Sequence, residues 1–147
     1  MSEMLANRYF LTGRFAEAAL EFERLRVKQP HRLTVKMKLV ICHTMMERTR
    51  EALKLAMEIY QEPPGGMMQI DHRIDEFSCK EARDQLQGRA KAMTPGMYHL
   101  SLGLLQLFCD EVRALEELNR ALERSPELSE VRRLKILVER HLEAGHA

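Results

Sequence analysis

The sequence predicts an all-α protein in which pairs of antiparallel helices are followed by one final helix. Good helix formers such as alanine, leucine, glutamate and arginine fill long stretches, and only 7 glycines and 5 prolines interrupt the 147 residues. Apolar side chains recur every three or four residues, which is the spacing of one helix face. A similar pattern also returns after 34 positions, as is typical of repeated helix pairs.

The repeat is defined by small residues and prolines at fixed distances. With a shift of 34 positions, Leu5 aligns with Leu39 and Leu25 aligns with Ile59. An alanine precedes a proline by 12 residues three times, in the pairs Ala18 and Pro30, Ala52 and Pro64, and Ala114 and Pro126. A small residue lets two helices approach closely, and a proline ends the second helix because it lacks an N–H. The spacing therefore predicts three helix pairs.

The first segment has the most complete pattern, which consists of Tyr9, Gly13, Phe15, Ala18, Phe22, Leu25 and Pro30. In order and spacing these residues resemble the consensus of the tetratricopeptide-repeat family. The resemblance implies helix pairs stacked into a short right-handed solenoid, with a C-terminal capping helix that shields the last apolar face. It also implies that Gly13 lies in the tight turn between the paired helices.

The whole chain, 1–147, is expected to form one domain, because this length supports a single hydrophobic core. It divides into repeat 1 (about 2–30), repeat 2 (about 32–64), an irregular helical segment (65–94), repeat 3 (about 95–126) and a capping helix (127–144). Repeat 2 is degenerate, because Glu47 and Thr49 stand where the turn glycine and an aromatic residue are expected.

Several polar residues are predicted to cap helix N-termini. Thr94, Asp110 and Ser125 have the residue types that serve as N-caps, and Pro95 and Pro126 would each be the first residue of a helix. A capping box is also predicted within the irregular segment, from Ser78 to Glu81.

The irregular segment departs from the repeat after a Pro-Pro-Gly-Gly break at 63–66. The helix that starts at Ser78 is expected to place four apolar residues on one face, namely Ala82, Leu86, Ala90 and Met93. A short helix is expected before it, carrying Ile70, Ile74 and Phe77. The pattern is compatible with a segment that extends the concave surface of the repeats and with one that fills it.

The family resemblance implies a concave groove, lined by the first helix of each pair, that binds an extended or helical peptide. The residues carried over to this groove are Asn7, Phe10, Leu11, Met37, Lys38, Ile41, Thr44, Met45, His99 and Gln106. Most of these side chains are apolar, so an apolar or amphipathic segment is the expected ligand. The alternative is that several of them pack against the irregular segment. The 10 methionines suit either a binding surface or ordinary core packing.

No motif indicates catalysis or a cofactor. The sequence contains no GxSxG, P-loop, dinucleotide-binding or HExxH pattern. The histidines lack metal-ligand spacing, since His141 and His146 are five positions apart and would point to different sides of a helix. The net charge of +1, with both signs interspersed, gives no basic stripe for nucleic acid. No apolar run approaches the length of a membrane span.

The cysteine content favours a reducing compartment. Cys42, Cys79 and Cys109 are odd in number and far apart, and no CxxC occurs, so a disulfide framework is not expected. The first ten residues also lack the features of a signal peptide. A cytoplasmic location is therefore the expectation.

These observations together predict a non-enzymatic protein-interaction module, acting as an adaptor or in a chaperone-like manner on another protein or peptide. Two alternatives use the same apolar surfaces. One is a self-associating structural subunit, such as a homodimer, and the other is a regulatory subunit of a larger complex.

Overall fold

The computed structural model describes residues 2–61 and 77–145. The described residues form helices and turns, without a strand, so the all-α prediction is confirmed. Eight α-helices lie in these ranges: α1 (Ser2–Leu11), α2 (Phe15–Lys28), α3 (Leu33–Met45), α4 (Thr49–Gln61), α5 (Cys79–Gly88), α6 (Pro95–Gln106), α7 (Glu111–Arg124) and α8 (Ser129–Gly145). A short 3-10 helix, Ala90–Ala92, lies between α5 and α6.

Three helix pairs make up most of the fold. The pairs α1–α2, α3–α4 and α6–α7 each pack side by side across a short turn, and α2 packs on α3 to join the first two pairs. Helix α6 contacts both α3 and α4, which places the third pair on the second. The alanines expected to permit close helix packing, Ala18, Ala52 and Ala114, are all fully buried. The stacking of pairs into a solenoid stays a prediction from the resemblance.

The turns within the first two pairs have the same geometry at positions 34 residues apart. Gly13 and Glu47 both adopt a positive φ, of 78° and 62°. The N–H of Arg14 donates to the carbonyl of Tyr9, and the N–H of Arg48 donates to that of His43, each at 2.8 Å. This is the Schellman arrangement that commonly ends a helix, and it favours glycine at the left-handed position. The 34-residue period is therefore present in the backbone as well as in the sequence.

Replacing Glu47 with glycine is expected to raise the free energy of unfolding by about 1 kcal/mol, because a side chain in the left-handed region costs about that much. Urea unfolding followed by circular dichroism measures the change. The matched variant Gly13→Ala is expected to lower stability by a similar amount, since no atom crowds that position and only the backbone strain is added. A loss of stability in Glu47→Gly would contradict the shared turn geometry.

The helix starts follow the predicted caps, with one exception. The hydroxyls of Ser78 and Thr94 and the carboxylate of Asp110 each accept a hydrogen bond from the N–H three residues ahead. The prediction for Ser125 and Pro126 is wrong: Ser125 follows the end of α7, and α8 begins only at Ser129. The N–H of Ser125 donates to Ala121, so this residue continues the hydrogen bonding of α7 instead of starting a new helix.

The irregular segment differs from the predicted single helix. Helix α5 ends at Gly88, so Ala90 belongs to the 3-10 helix and Met93 follows it. Glycine is a weak helix former, which accounts for this early end. Phe77 lies in a bend before α5, whereas Ile70 and Ile74 fall outside the described residues.

The last helix is connected to two earlier helices by a partly buried polar cluster. Tyr60 of α4 donates its hydroxyl to the Glu111 carboxylate of α7 at 2.5 Å, and Nδ1 of His141 on α8 lies 2.7 Å from the same oxygen. Burial, together with Glu111, raises the pKa of Tyr60 well above its usual value, so its proton stays available for this bond. Helix α8 thus packs on both α4 and α7 and bridges the second and third pairs.

The buried His43 of α3 is expected to make the stability of the fold depend on pH. Burial lowers the pKa of His43, although the nearby Glu23 opposes the shift, and Nε2 lies 3.9 Å from that carboxylate. The unfolded chain therefore binds this proton at a higher pH than the folded chain. The stability that depends on neutral His43 is complete above the unfolded pKa of 6.5 and is lost as the pH falls toward the folded pKa.

We expect the wild-type chain to lose more unfolding free energy than His43→Gln between about pH 7.5 and pH 5.5, because glutamine does not titrate. Urea unfolding measures the free energy of unfolding of both proteins at each pH. The difference between the two proteins removes the contribution of the other histidines, which both proteins share. Parallel stability curves for the two proteins would show that His43 carries no such penalty.

Candidate binding groove

The first helices α1 and α3 meet through two polar contacts. Arg32 donates to the Glu3 carboxylate at 2.6 Å, and Lys38 Nζ donates to Asn7 Oδ1 at 2.9 Å. The hydrogen bond from Arg32 lowers the pKa of Glu3, which keeps this carboxylate charged. Asn7 and Lys38, both predicted groove residues, therefore contact each other at the α1–α3 junction, where both are half-buried.

Six of the ten predicted groove residues are buried in this structure, namely Phe10, Met37, Ile41, Thr44, Met45 and Gln106. The hydroxyl of Thr44 is used within its own helix, because it donates to the carbonyl of Val40 at 2.8 Å. The remaining four residues keep some exposure: Asn7, Leu11, Lys38 and His99. A partner could reach these six side chains only if the groups that pack on them moved.

Two of these residues, Phe10 and Met45, are contacted by the described part of the irregular region. The Phe77 ring stacks on the Phe10 ring, with centroids 4.7 Å apart, and lies edge-on to Phe15 at 6.2 Å. Further along, Arg89 Nη1 donates to the backbone carbonyl of Met45 at 2.6 Å. Helix α5 also packs against α6. Residues 77–89, which we call the α5 segment, thus contact α1, α3 and α6, the helices predicted to line the groove.

An open cleft remains where the α5 segment meets the first turn. Its volume is about 410 Å³, and its aromatic wall comes from Phe10, Phe15 and Phe77. The rim is polar and includes Glu81 and Gln85 together with Leu11, whose exposed fraction is 50%. Of the predicted groove residues, Leu11 is therefore accessible to a ligand at this cleft, whereas Phe10 is fully buried in its wall. We call this surface the aromatic cleft.

Two further clefts lie near the third pair. One, of about 450 Å³, runs between α5 and α7 and is lined mainly by charged residues, with Gln106 at its base. His99 lies nearby on α6, where its Nδ1 is 2.7 Å from the Glu117 carboxylate. The other, of about 460 Å³, lies between the starts of α4, α6 and α8 and includes Met97 and Leu100. Helical periodicity does not predict this last cleft, because the cleft depends on how α8 folds back.

The structure contains a disulfide between Cys79 and Cys109, so the expectation that the cysteines stay unpaired is wrong for these two. Their Cα atoms are 6.3 Å apart, within the usual range for a disulfide. Thirty residues separate them in the sequence, yet the start of α5 lies beside the turn between α6 and α7. Cys42 is the free thiol; it is buried in α3, and burial raises its pKa.

Searches against family models, curated proteins and solved structures give no match to this chain. Within residues 2–61 and 77–145, His, Cys, Asp and Glu side chains form no group of three or more that could hold a metal ion. Over the same part of the chain, no helix combines the length and apolar character needed to cross a membrane.

Proposed function

We propose that this chain is a tetratricopeptide-like interaction module whose groove, formed by α1, α3 and α6, binds an apolar or amphipathic segment of another protein. The observation that carries the proposal is the stacking of Phe77 on Phe10 at the edge of the aromatic cleft. It supports the proposal because an aromatic side chain from outside the three pairs occupies the predicted groove, as a ligand side chain would. The role is that of a non-enzymatic adaptor or chaperone-like protein.

The chemistry of the aromatic cleft fits such a segment. The aromatic rings give this wall apolar area, against which a further apolar side chain can pack. Leu11 adds exposed apolar area at the rim, and Glu81 and Gln85 supply polar atoms that orient a backbone or a basic side chain. An apolar anchor surrounded by a polar rim is the usual arrangement of a protein-binding hot spot.

Affinity capture from the source cells with Leu11→Glu tests this function. Glutamate at this half-exposed position places a charge in the cleft while leaving the buried core intact. The matched control is Ile136→Glu on α8, where an apolar side chain is 42% exposed far along the chain. We expect Leu11→Glu to lose a stoichiometric partner that both wild type and Ile136→Glu retain, as measured by quantitative mass spectrometry. Identical captured sets from all three proteins would refute the cleft as the binding site.

Self-association is a second candidate, favoured by apolar exposure on the first pair. Met4, Leu20 and Val27 are 72%, 58% and 84% exposed. Met45 occupies the position in repeat 2 that is equivalent to Leu11, and it is buried. The first pair therefore exposes apolar area at a position where the second pair is buried. Sedimentation of wild type and the double variant Leu20→Glu/Val27→Glu distinguishes this candidate. A wild-type dimer that the variant converts to monomer would support it, and a monomeric wild type would remove it.

We further propose a cytoplasmic location. Disulfides in cytosolic proteins are usually transient and catalytic or redox-sensing, so the pair Cys79–Cys109 would alternate there between the bonded and the thiol forms.

A further inference from the structure

Helix α5 buries few of its side chains. Of the ten residues in α5, only Ala82 and Leu86 are buried. The flanking contacts are the Phe77 ring on Phe10 and the Arg89 hydrogen bond to Met45. A helix of ten residues is marginally stable on its own in water, so these contacts must supply its order. The disulfide adds a covalent restraint at the first residue of this helix.

We propose that the Cys79–Cys109 disulfide holds the α5 segment in the groove, and that its reduction frees the groove for an amphipathic helix with the same contact pattern. This inference rests on the proposed function, because it names the partner class and the regulation of that groove. Both cysteines are only partly buried, so a reductant can reach them. By contrast, Cys42 is fully buried and joins no disulfide.

The redox step needs a dithiol reductant, such as dithiothreitol or a protein dithiol. One reductant thiolate attacks the sulfur of Cys79 or Cys109, the S–S bond breaks, and a mixed disulfide forms. The second thiol of the reductant then displaces the chain sulfur and closes a disulfide within the reductant. Two electrons and two protons pass to the chain, which ends with two thiols. Helix α5 is then joined to the α6–α7 turn by packing alone.

The contacts of the α5 segment define the partner that replaces it. The segment presents an aromatic ring, then alanine five positions later and leucine four positions after that, as Phe77, Ala82 and Leu86. Three positions further on, Arg89 reaches the Met45 carbonyl. A competing helix needs an aromatic anchor, a small and a large apolar residue on the following turns, and a terminal basic residue. Because the α5 segment is tethered, its effective concentration is on the order of millimolar, and it excludes weaker ligands while bonded.

Hydrogen–deuterium exchange on the full chain tests the restraint. On reduction with dithiothreitol we expect the amides of 80–89 to exchange at least about tenfold faster, while those of α8 keep their rates, because local opening affects the restrained helix first. The double variant Cys79→Ser/Cys109→Ser should show the fast rates with or without reductant. Unchanged exchange in 80–89 after complete reduction, verified by counting thiols in the denatured chain, would overturn the restraint.

A labelled peptide tests the partner class. The probe copies residues 77–89 with serine replacing Cys79, and its control carries Leu86→Glu. We expect the probe to bind the reduced full chain at least about tenfold more tightly than the oxidised chain, and the control to bind neither. Equal affinity for both redox forms would overturn the restraint, and failure to bind a reduced chain whose α5 has opened would overturn the partner class. The proposed function fails separately, when Leu11→Glu captures the same partners as wild type.

Discussion

Replacing Ile41 with glutamate is expected to lower the free energy of unfolding by about 4 kcal/mol, because it places an unpaired charge where the structure has a fully buried side chain. Ile41 lies in the middle of α3, and the residues on both sides of it, Val40 and Cys42, are also buried. A domain of this size has a total stability of about 5 to 15 kcal/mol, so the variant should lose a large part of it. Urea unfolding of the purified protein measures the effect.

The matched comparison is Leu11→Glu, which is expected to change stability by no more than about 0.5 kcal/mol because its side chain is half exposed. The family resemblance implies that both residues lie in the groove. Comparing the stabilities of the two variants therefore distinguishes an accessible groove position from a covered one. If Ile41→Glu were as stable as Leu11→Glu, position 41 would be accessible to solvent, contrary to the burial of Ile41 in this structure. The same reasoning makes Leu11, and not Ile41, the position for a binding test.

The turns show how far a local pattern can predict structure. The position of Gly13 in the repeat predicts that it lies in the first turn, and its φ of 78° agrees. Glu47 departs from the repeat in residue type, yet it adopts almost the same conformation. The hydrogen bonds that end α1 and α3 set the geometry of the turn, and the packing of each pair maintains it at a modest cost in strain. The sequence thus predicts the turn, whereas the strain becomes visible only in the structure.

The groove shows where local patterns stop being informative. Helical spacing predicts which residues share one face of α1, α3 or α6, but it does not say what packs over that face. An apolar face has the same sequence pattern whether it binds a partner or belongs to the core. Phe10, for example, is contacted by Phe77, which is 67 positions away in the sequence. The Cys79–Cys109 disulfide is likewise a long-range contact, since it forms only when the α5 segment folds back beside the third pair. Long-range contacts of this kind have no periodic signal.

Loss of the disulfide is also expected to lower the stability of the fold substantially. Reducing the Cys79–Cys109 bond is expected to lower the free energy of unfolding by about 3.5 kcal/mol, because it releases a loop with a sequence separation of 30 residues in the unfolded chain. The loop contains α5, α6 and the turn before α7, so the unfolded ensemble gains freedom over a fifth of the molecule. Urea unfolding with and without dithiothreitol measures the difference, under conditions where circular dichroism confirms that the reduced chain starts folded.

The double variant Cys79→Ser/Cys109→Ser controls for reductant effects elsewhere, and its stability should match that of the reduced wild type with or without dithiothreitol. A thiol count checks the state of the bond, since the oxidised chain should contain one free thiol, that of Cys42. This thiol should react only once the chain is denatured, because Cys42 is buried and burial raises its pKa. A stability difference below about 1 kcal/mol would mean that the bond restrains little of the unfolded chain. A large global loss without faster exchange in α5 would instead place the effect of the bond in the unfolded state alone. The restraint on the α5 segment therefore requires both measurements to respond, and in the same direction.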